Sequence, residues 1–421
     1  MHGTFITQRK EVILLAKKKE LRVGLKKPQT KIGVGELKIS EYEKQLVNDV
    51  LNSNRLTYGP VTKKFEEVFA NLHDCEFGLF MNSGTSALHV ALAAFKEMHG
   101  WHDGDEVLVP SVTFVATSNI ILHNNMTPIF VDVEPLTYNI DWTKIEEKIT
   151  SKTRAIIPVH LLGLPATMDP ILELSKKYNL TIIEDSCETM FASYKGRKVG
   201  SLGDVASFST YVAHFLVTGV GGLATTSDPD LAVTMRSLMN HGRDSIYISC
   251  SDDEGLEKEK LHEVIAKRFK FVHLGHSFRC TELEAALGLG QLERIEDIIS
   301  RRKNNAKYLT KHLSTLEEYI QLPTCPSDRT HAYMLYGLVV RNDSKRNLVN
   351  YLEDHHIETR DLLPLVNQPI YRRLYGDLEE RFPVAKWINN SGFYIGCHSY
   401  LSIGELDYVI NVFHDYFKKN T

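Results

Sequence analysis

Three stretches of this chain carry residue types whose spacing could do chemistry. Thr181-Ile-Ile-Glu-Asp185-Ser-Cys-Glu188 is an apolar run with carboxylates at its tip. Ser207-Phe-Ser-Thr-Tyr-Val-Ala-His214-Phe-Leu-Val-Thr-Gly-Val-Gly-Gly222 sets a histidine between a hydroxyl-rich segment and a glycine pair. Phe77-Gly-Leu-Phe-Met-Asn-Ser83-Gly84-Thr85-Ser86-Ala87-Leu88 reads as strand, small-residue turn and helix. Free backbone amides at such a helix start form a phosphate site. A histidine can accept and return a proton near neutral pH, the task of a general base. Each has a plainer reading beside it. Asp185 could cap the next helix, His214 could be an ordinary histidine, and many helices start with Ser-Gly-Thr-Ser without a ligand.

The elements that must position these residues alternate between strand and helix. Val107–Pro110, Ile129–Val133, Ala155–His160 and Thr181–Ile183 read as strands. Helical spacing falls between them, around Ala116–His123, Trp142–Ile149 and Met168–Tyr178. Such alternation predicts an α/β domain with a mostly parallel sheet. Ligands of such sheets sit beyond the carboxyl ends of the strands, where this chain has Thr113, Phe114, His160, Asp185 and Glu188. Ahead of the sheet, helical periodicity from Ser40 breaks at Leu56-Thr-Tyr58-Gly-Pro60 and resumes through Phe65, Val68 and Phe69. After Gly222 the pattern predicts a helix over 229–241, a polar surface excursion over Ser249–Lys267 and one long helix from Thr281 to Leu313. A strand over Tyr333–Val340, a helix over Ser344–Asp354 and a last helix from Ile403 predict a small C-terminal α/β domain.

Composition narrows the class. A chain of 421 residues, 43% hydrophobic, can bury a large core, which suits one large domain and a smaller one. A net charge of −4 gives no electrostatic case for nucleic acid. The apolar runs are too short to span a membrane, and no secretory leader is expected at the N-terminus. Cys75, Cys187, Cys250, Cys280, Cys325 and Cys397 are widely scattered, as reduced cytoplasmic thiols are, with no metal-binding pair. Residues Met1–Thr30 are rich in lysine and arginine and read as a solvated extension.

Taken together, the three stretches resemble the pyridoxal-phosphate site of the DegT/DnrJ/EryC1/StrS sugar aminotransferase family, from about residue 35 to residue 418. The resemblance implies the aspartate aminotransferase-like, type I fold: a large mixed, mainly parallel-sheet domain and a small C-terminal α/β domain. It divides the chain into an extension (1–34), a cofactor-binding domain (35–290) and a connecting helix with the small domain (291–421). It implies pyridoxal or pyridoxamine 5′-phosphate as cofactor and a homodimer with shared active sites. Asp185 then pairs with the pyridine nitrogen, so that the ring can accept electrons. Phe114 stacks on the ring, and Ser83, Gly84, Thr85 and Ser209 hold the phosphate. Glu188 stands where aminotransferases of the family usually carry Gln. Leu274-Gly-His-Ser277-Phe-Arg279 matches a segment whose Asn, here Ser277, reaches the partner subunit's cofactor. Tyr58, His160, Arg279, Arg360 and His398 fall where the family borders its substrate.

Counting back from Gly221-Gly222, His214 occupies the position of the family lysine that carries the cofactor. Imidazole cannot form that covalent tether. The family members that make this exchange are sugar 3-dehydratases, in which glutamate supplies the amine form of the cofactor and the histidine moves a proton. The resemblance thus implies a dehydratase acting on a nucleotide-linked 4-keto-6-deoxy sugar, with His214, Asp185 and Glu188 as catalytic residues. A tether-less aminotransferase and a non-catalytic nucleotide-sugar or cofactor-binding homologue are the alternatives. One dehydratase branch adds an iron–sulfur cluster; Cys250 alone after His241-Gly-Arg-Asp244 cannot supply its ligands.

Overall fold

The computed structural model describes residues 27–28, 30–244, 256–267 and 269–420. The basic arm lies almost wholly outside them, as does the start of the polar stretch after Ser249. The chain opens with α1 (Glu41–Ser53) and α2 (Pro60–Leu72), followed by β1 (Phe77–Met81), α3 (Gly84–Met98), β2 (Glu106–Pro110) and α4 (Val115–His123). Next come β3 (Thr127–Val131), β4 (Thr153–Ile156), α5 (Met168–Tyr178) and β5 (Thr181–Asp185). A hairpin of β6 (Ser193–Tyr194) and β7 (Arg197–Lys198) precedes β8 (Val205–Ser209) and β9 (Gly222–Thr226). Helices α6 (Pro229–Leu238), α7 (Lys258–Lys267), α8 (Glu282–Leu292) and α9 (Ile295–Leu313) lead into the C-terminal elements. These are β10 (Ile320–Gln321), β11 (Leu335–Val340), α10 (Lys345–Asp354), β12 (Thr359–Asp361), α11 (Pro369–Tyr375), α12 (Pro383–Ser391), β13 (Gly392–Gly396) and α13 (Ile403–Asn420).

The large sheet has seven strands in the order β1-β9-β8-β5-β4-β2-β3. The five from β8 to β3 run parallel, and β9 runs antiparallel to both its neighbours, β1 and β8. The strands are apolar because helices cover both faces of the sheet. Helix α3 buries Ala87, Leu88, Val90, Ala91 and Leu92, residues that face in nearly every direction around it, as a helix lying inside a core must. A second sheet, β10-β11-β13-β12, is wholly antiparallel. Its core joins Tyr336, Leu338 and Phe393 to Leu309 of α9 and to Val409 and Phe413 of α13.

Local signals account for the helix ends. Ser40 and Glu43 close a capping box on α1, and Thr281 and Glu284 close another on α8, each worth about 1 kcal/mol. The buried Glu282 carboxylate accepts from the amides of Gly59, Val61 and Thr62 at 2.9, 3.0 and 3.0 Å. An anion at the start of α2, where Pro60 has no amide to offer, fastens that turn to α8.

Two expected helices differ. The segment from Thr281 to Leu313 is two helices, broken at Glu293 and Arg294. At the end of α8, the Gln291 side chain is drawn inward to bond both the amide and the carbonyl of Val217, at 2.9 and 2.6 Å. The segment Trp142–Ile149 is a pair of single 3₁₀ turns, Trp142–Lys144 and Glu146–Lys148. There the Asp141 side chain satisfies the Thr143 amide, and Ile145 and Lys148 bond back three residues, to Trp142 and Ile145.

Candidate active site

The carboxyl ends of β1, β2, β5 and β8 lie along one edge of the large sheet, and the loops beyond them enclose a cavity of about 440 Å³. Parallel pairing points the tips of β2, β5 and β8 the same way, and two antiparallel steps through β9 bring the tip of β1 to the same edge. Ser83, Gly84, Thr85, Phe114, Asp185, Glu188, Ser209 and His214, from separate stretches of the sequence, all line it.

The start of α3 forms one wall. Ser83 caps the helix by accepting from the Ser86 amide at 3.0 Å. Two glycines allow the close approach. A methyl group on Gly84 would sit 2.7 Å from Cys187 Sγ and 3.0 Å from Ser209 Cβ. One on Gly222 would lie 2.2 Å from the Gly84 amide nitrogen. The helix amides, with the Ser209 hydroxyl at the tip of β8, make a cradle of donors for a phosphate.

Asp185 ends β5 and is 4% exposed. Thr117 Oγ1 donates to its Oδ2 at 2.7 Å, and the Cys187 amide donates to its Oδ1 at 3.2 Å. Burial nevertheless holds its carboxyl above the usual range, against those two donors. A cation placed against Asp185 would offset that burial. Phe114, the residue before α4, is 57% exposed and forms a flat apolar edge of the cavity.

Glu188 faces the same space. The Leu162 amide donates to its Oε2 at 2.9 Å. Burial, aided by the nearby Asp185 charge, pushes its carboxyl up to about 7 despite that bond. Tyr394 of β13 closes this side, and burial with the Glu188 charge raises its phenol to about 12.

His214 sits in the connection between β8 and β9, which is held from both ends. Thr210 and Thr218 pair through their hydroxyls at 2.6 Å, and Gln291 grips Val217. His214 Nδ1 lies 3.2 Å from the Tyr211 carbonyl oxygen, so it is the protonated nitrogen, and the lone pair stays on Nε2. Burial, together with the nearby Arg302 charge, lowers the imidazole to about 4, which keeps it neutral at physiological pH. Among the described residues lining the cavity there is no lysine.

Other candidates fall elsewhere. His160 is fully buried behind the sheet edge: it accepts from the Ala166 amide at Nδ1, 3.0 Å, and donates from Nε2 to Glu184 at 2.9 Å. Glu184 also gathers the amides of Gly200, Leu202 and Gly203, so His160 belongs to a buried network and not to the cavity. His398 is also buried away from it, with its carbonyl bound to Asn305. Arg360 points along its own strand, donating to the Thr359 carbonyl and pairing with Glu358. Tyr58, Ser277 and Arg279 lie outside the cavity of the single chain; Arg279 donates to Ser277 Oγ at 2.9 Å. Cavity residues that sequence reasoning did not single out include Asn82, Cys187, Tyr211 and Tyr394. Asn82 and Cys187 adjoin recognised motifs, which was their available signal.

A phosphate cradle, a buried carboxylate wanting a cationic partner, and an exposed aromatic face fit the three parts of a phosphorylated pyridine cofactor. A family model described as the DegT/DnrJ/EryC1/StrS aminotransferase family matches residues 37–414. The chain belongs to this family. It is 32% identical over 374 residues to a dTDP-3-amino-3,6-dideoxy-alpha-D-galactopyranose transaminase of Aneurinibacillus thermoaerophilus, covering 88% of this chain and 94% of the relative. It is 26% identical over 380 residues to the GDP-4-keto-6-deoxy-D-mannose 3-dehydratase of Escherichia coli O55:H7, covering 88% and 96%. The solved E. coli 3-dehydratase with bound hydrated PLP superposes with a TM-score of 0.83 at 23% identity, covering 91% of this chain and all of that one. The aminotransferase-type fold expected from the sequence is the fold observed.

Proposed function

We propose that this chain is a pyridoxal/pyridoxamine phosphate-dependent enzyme that removes the 3-hydroxyl of a nucleotide-linked 4-keto-6-deoxy sugar. The observation that carries the reading is His214 on the cavity wall where the family keeps a lysine, with no lysine among the described lining residues. The cofactor, when bound in its amine form at the sugar's 4-carbonyl, would supply through its ring the electron pair that lets the 3-hydroxyl leave as water. The rest is the work of the chain's own groups. The start of α3 and Ser209 would hold the phosphate, Asp185 would pair with the ring nitrogen, and Phe114 would cover the ring. His214, neutral and with its lone pair on Nε2, would accept and return the proton. Glu188, half protonated near neutrality, can hydrogen-bond as donor or acceptor where aminotransferases of the family use Gln.

We further infer that glutamate supplies the amino group and that a second copy of the chain completes the site. Ser277 and Arg279 are exposed, on a segment whose Phe271, Val272 and Leu274 also face solvent. That face suits burial against a partner. Cys75, Cys187, Cys280, Cys325 and Cys397 are all free thiols, in keeping with work in the cytoplasm, and no helix among the described residues is long and apolar enough to cross a membrane.

The aminotransferase reading has its own support, because the transaminase relative is the more similar of the two at 32% identity. One experiment separates them. Purified protein is given pyridoxal phosphate, glutamate and GDP-4-keto-6-deoxymannose, and the products are resolved. Release of ammonia with a 3-deoxy sugar supports the dehydratase; an amino sugar without ammonia assigns the aminotransferase. The His214→Asn variant should keep the cofactor's absorbance and lose turnover, and undiminished turnover there would sink the role given to the histidine.

A further inference from the structure

A second cleft, of about 550 Å³, opens between α9 and the segment joining β10 to β11. Lys303, Lys307 and Lys311 line it from one face of α9, opposite Cys325, Thr330, His331 and Tyr333. Their i, i+4, i+8 spacing stacks three positive charges along one stripe, an arrangement that weakens an isolated helix. Among the described residues none of the three has an ion-pair partner, and the nearby Asp328 is committed to Arg329 at 2.8 Å. Opposite the stripe, the Tyr333 ring lies flat on His331, with centroids 3.8 Å apart and planes within 3°. Tyr333 holds φ at +52°, a left-handed conformation rare for an aromatic residue. It is fixed there by its amide, which donates to His331 Nδ1 at 2.9 Å. Burial keeps His331 uncharged, so the positive charge of the cleft belongs to the lysines.

We propose that this cleft binds a phosphate-bearing anion with at least two phosphates, its charge spread along Lys303, Lys307 and Lys311. Lysines one helical turn apart, with Cβ atoms about 5–6 Å from one another, can bring their ammonium groups to neighbouring phosphates of one anion. The site is separate from the cofactor cradle but shares a wall with it: Tyr333 lines the cleft, while Met334 and Leu335 line the cavity. Arg302, next to Lys303, donates to the Met334 carbonyl at 2.7 Å and ties α9 to that wall.

The test is calorimetric titration of inorganic pyrophosphate into the full chain and into two variants, Lys303→Gln/Lys307→Gln and Ser209→Ala. The lysine variant should bind about 100-fold more weakly, since it lacks two charge-assisted contacts, and the Ser209 variant should retain the parent affinity. Both lysines reach solvent on a helix surface, and unchanged thermal melting confirms that the variant is folded. Adenosine diphosphate serves as a second probe: tighter binding than pyrophosphate adds a nucleoside resting on Tyr333, and equal binding makes the phosphates the whole of the recognition. No binding of pyrophosphate to the parent, or equal binding to the lysine variant, overturns the proposal. Loss of binding in Ser209→Ala alone also overturns it, because that places the anion in the cofactor cradle.

Discussion

The Leu162 amide and the Glu188 carboxylate are joined at 2.9 Å, and Leu162 holds φ at +56° to make the bond. A left-handed leucine costs about 1–2 kcal/mol, so the surrounding structure spends stability to aim this amide at Glu188. One amide is too little to ionise the buried carboxyl, which stays near 7. The folded state therefore binds a proton between pH 4.5 and 7 that the unfolded chain has lost. Stability from this group is full at low pH and lost as pH rises through that window. Glu188→Gln keeps an oxygen for Leu162 and carries no charge. It should be more stable than the parent by about 3 kcal/mol at pH 8 and equal to it near pH 4.5. Denaturant midpoints of cofactor-free protein at the two pH values decide this; a gain that is the same at both would mean Glu188 is not the titrating group.

Asp185 makes a second prediction, through the cofactor. Its oxygens already accept from Thr117 and from the Cys187 amide, yet burial still raises it. A ring N–H⁺ would give the carboxylate the partner that offsets burial. Asp185→Asn should weaken pyridoxal phosphate binding by about 100-fold, as for removing one side of a buried charge pair. Thr117→Val, which removes one hydroxyl donor, should weaken it by about tenfold. Absorbance titration reads both, and unaltered affinity in Asp185→Asn would refute the pairing.

Much of this site was legible because parallel sheets advertise their strand tips. Asp185, Glu188, Ser209 and the Ser83–Thr85 turn each follow a short apolar run, and all of them reach the cavity. His160 follows such a run too, yet its side chain turns to Glu184 and does not line the cavity. Nothing in the local sequence distinguishes a histidine facing the cavity from one turned inward to Glu184 at the next strand. That difference is set by which face of the strand end is covered, a tertiary fact. Arg360 likewise pairs with Glu358, and His398 is buried with its backbone carbonyl bound to Asn305. Helix boundaries failed for a local reason: the apolar spacing continues through Glu293 and Arg294, where Gln291 and its Val217 partner redirect the chain.

Gly222 should be as intolerant of change as any residue in the cavity. Its added methyl would lie 2.2 Å from the Gly84 nitrogen and 2.3 Å from the Ser83 carbonyl carbon, which are backbone atoms that cannot swing aside. Gly222→Ala must push the start of α3 away from β9, at about 1–3 kcal/mol of overpacking. The amides that would face the phosphate move with it. The expected result is a folded protein of lower melting temperature whose affinity for pyridoxal phosphate falls further than its stability. Gly404→Ala, at a helix position with nothing within 4 Å of the new methyl, should leave cofactor affinity unchanged and not lower stability. Normal cofactor binding in Gly222→Ala would show that the phosphate does not sit at α3.

His73 is fully buried among Phe69, Phe191 and Phe208, with ring centroids 4.6, 4.8 and 4.5 Å away. Its Nδ1 donates to the Val199 carbonyl at 2.7 Å, while Nε2 has no partner. Burial lowers the imidazole to about 4, so between pH 6.5 and 4 the unfolded chain takes up a proton that the folded chain refuses. The stability contributed by neutral His73 is full above pH 6.5 and is lost as pH falls toward 4, at a cost of about 3 kcal/mol. His214 and His398 are depressed the same way, so the loss begins before most carboxylates titrate. His73→Leu should cost about 1 kcal/mol at pH 8, where the Val199 carbonyl loses its donor. It should also flatten the fall in stability between pH 6.5 and 4.5 by nearly one proton's slope. Urea midpoints across that range measure it, and a variant that follows the parent's slope would show that His73 is not what makes the fold sensitive to acid.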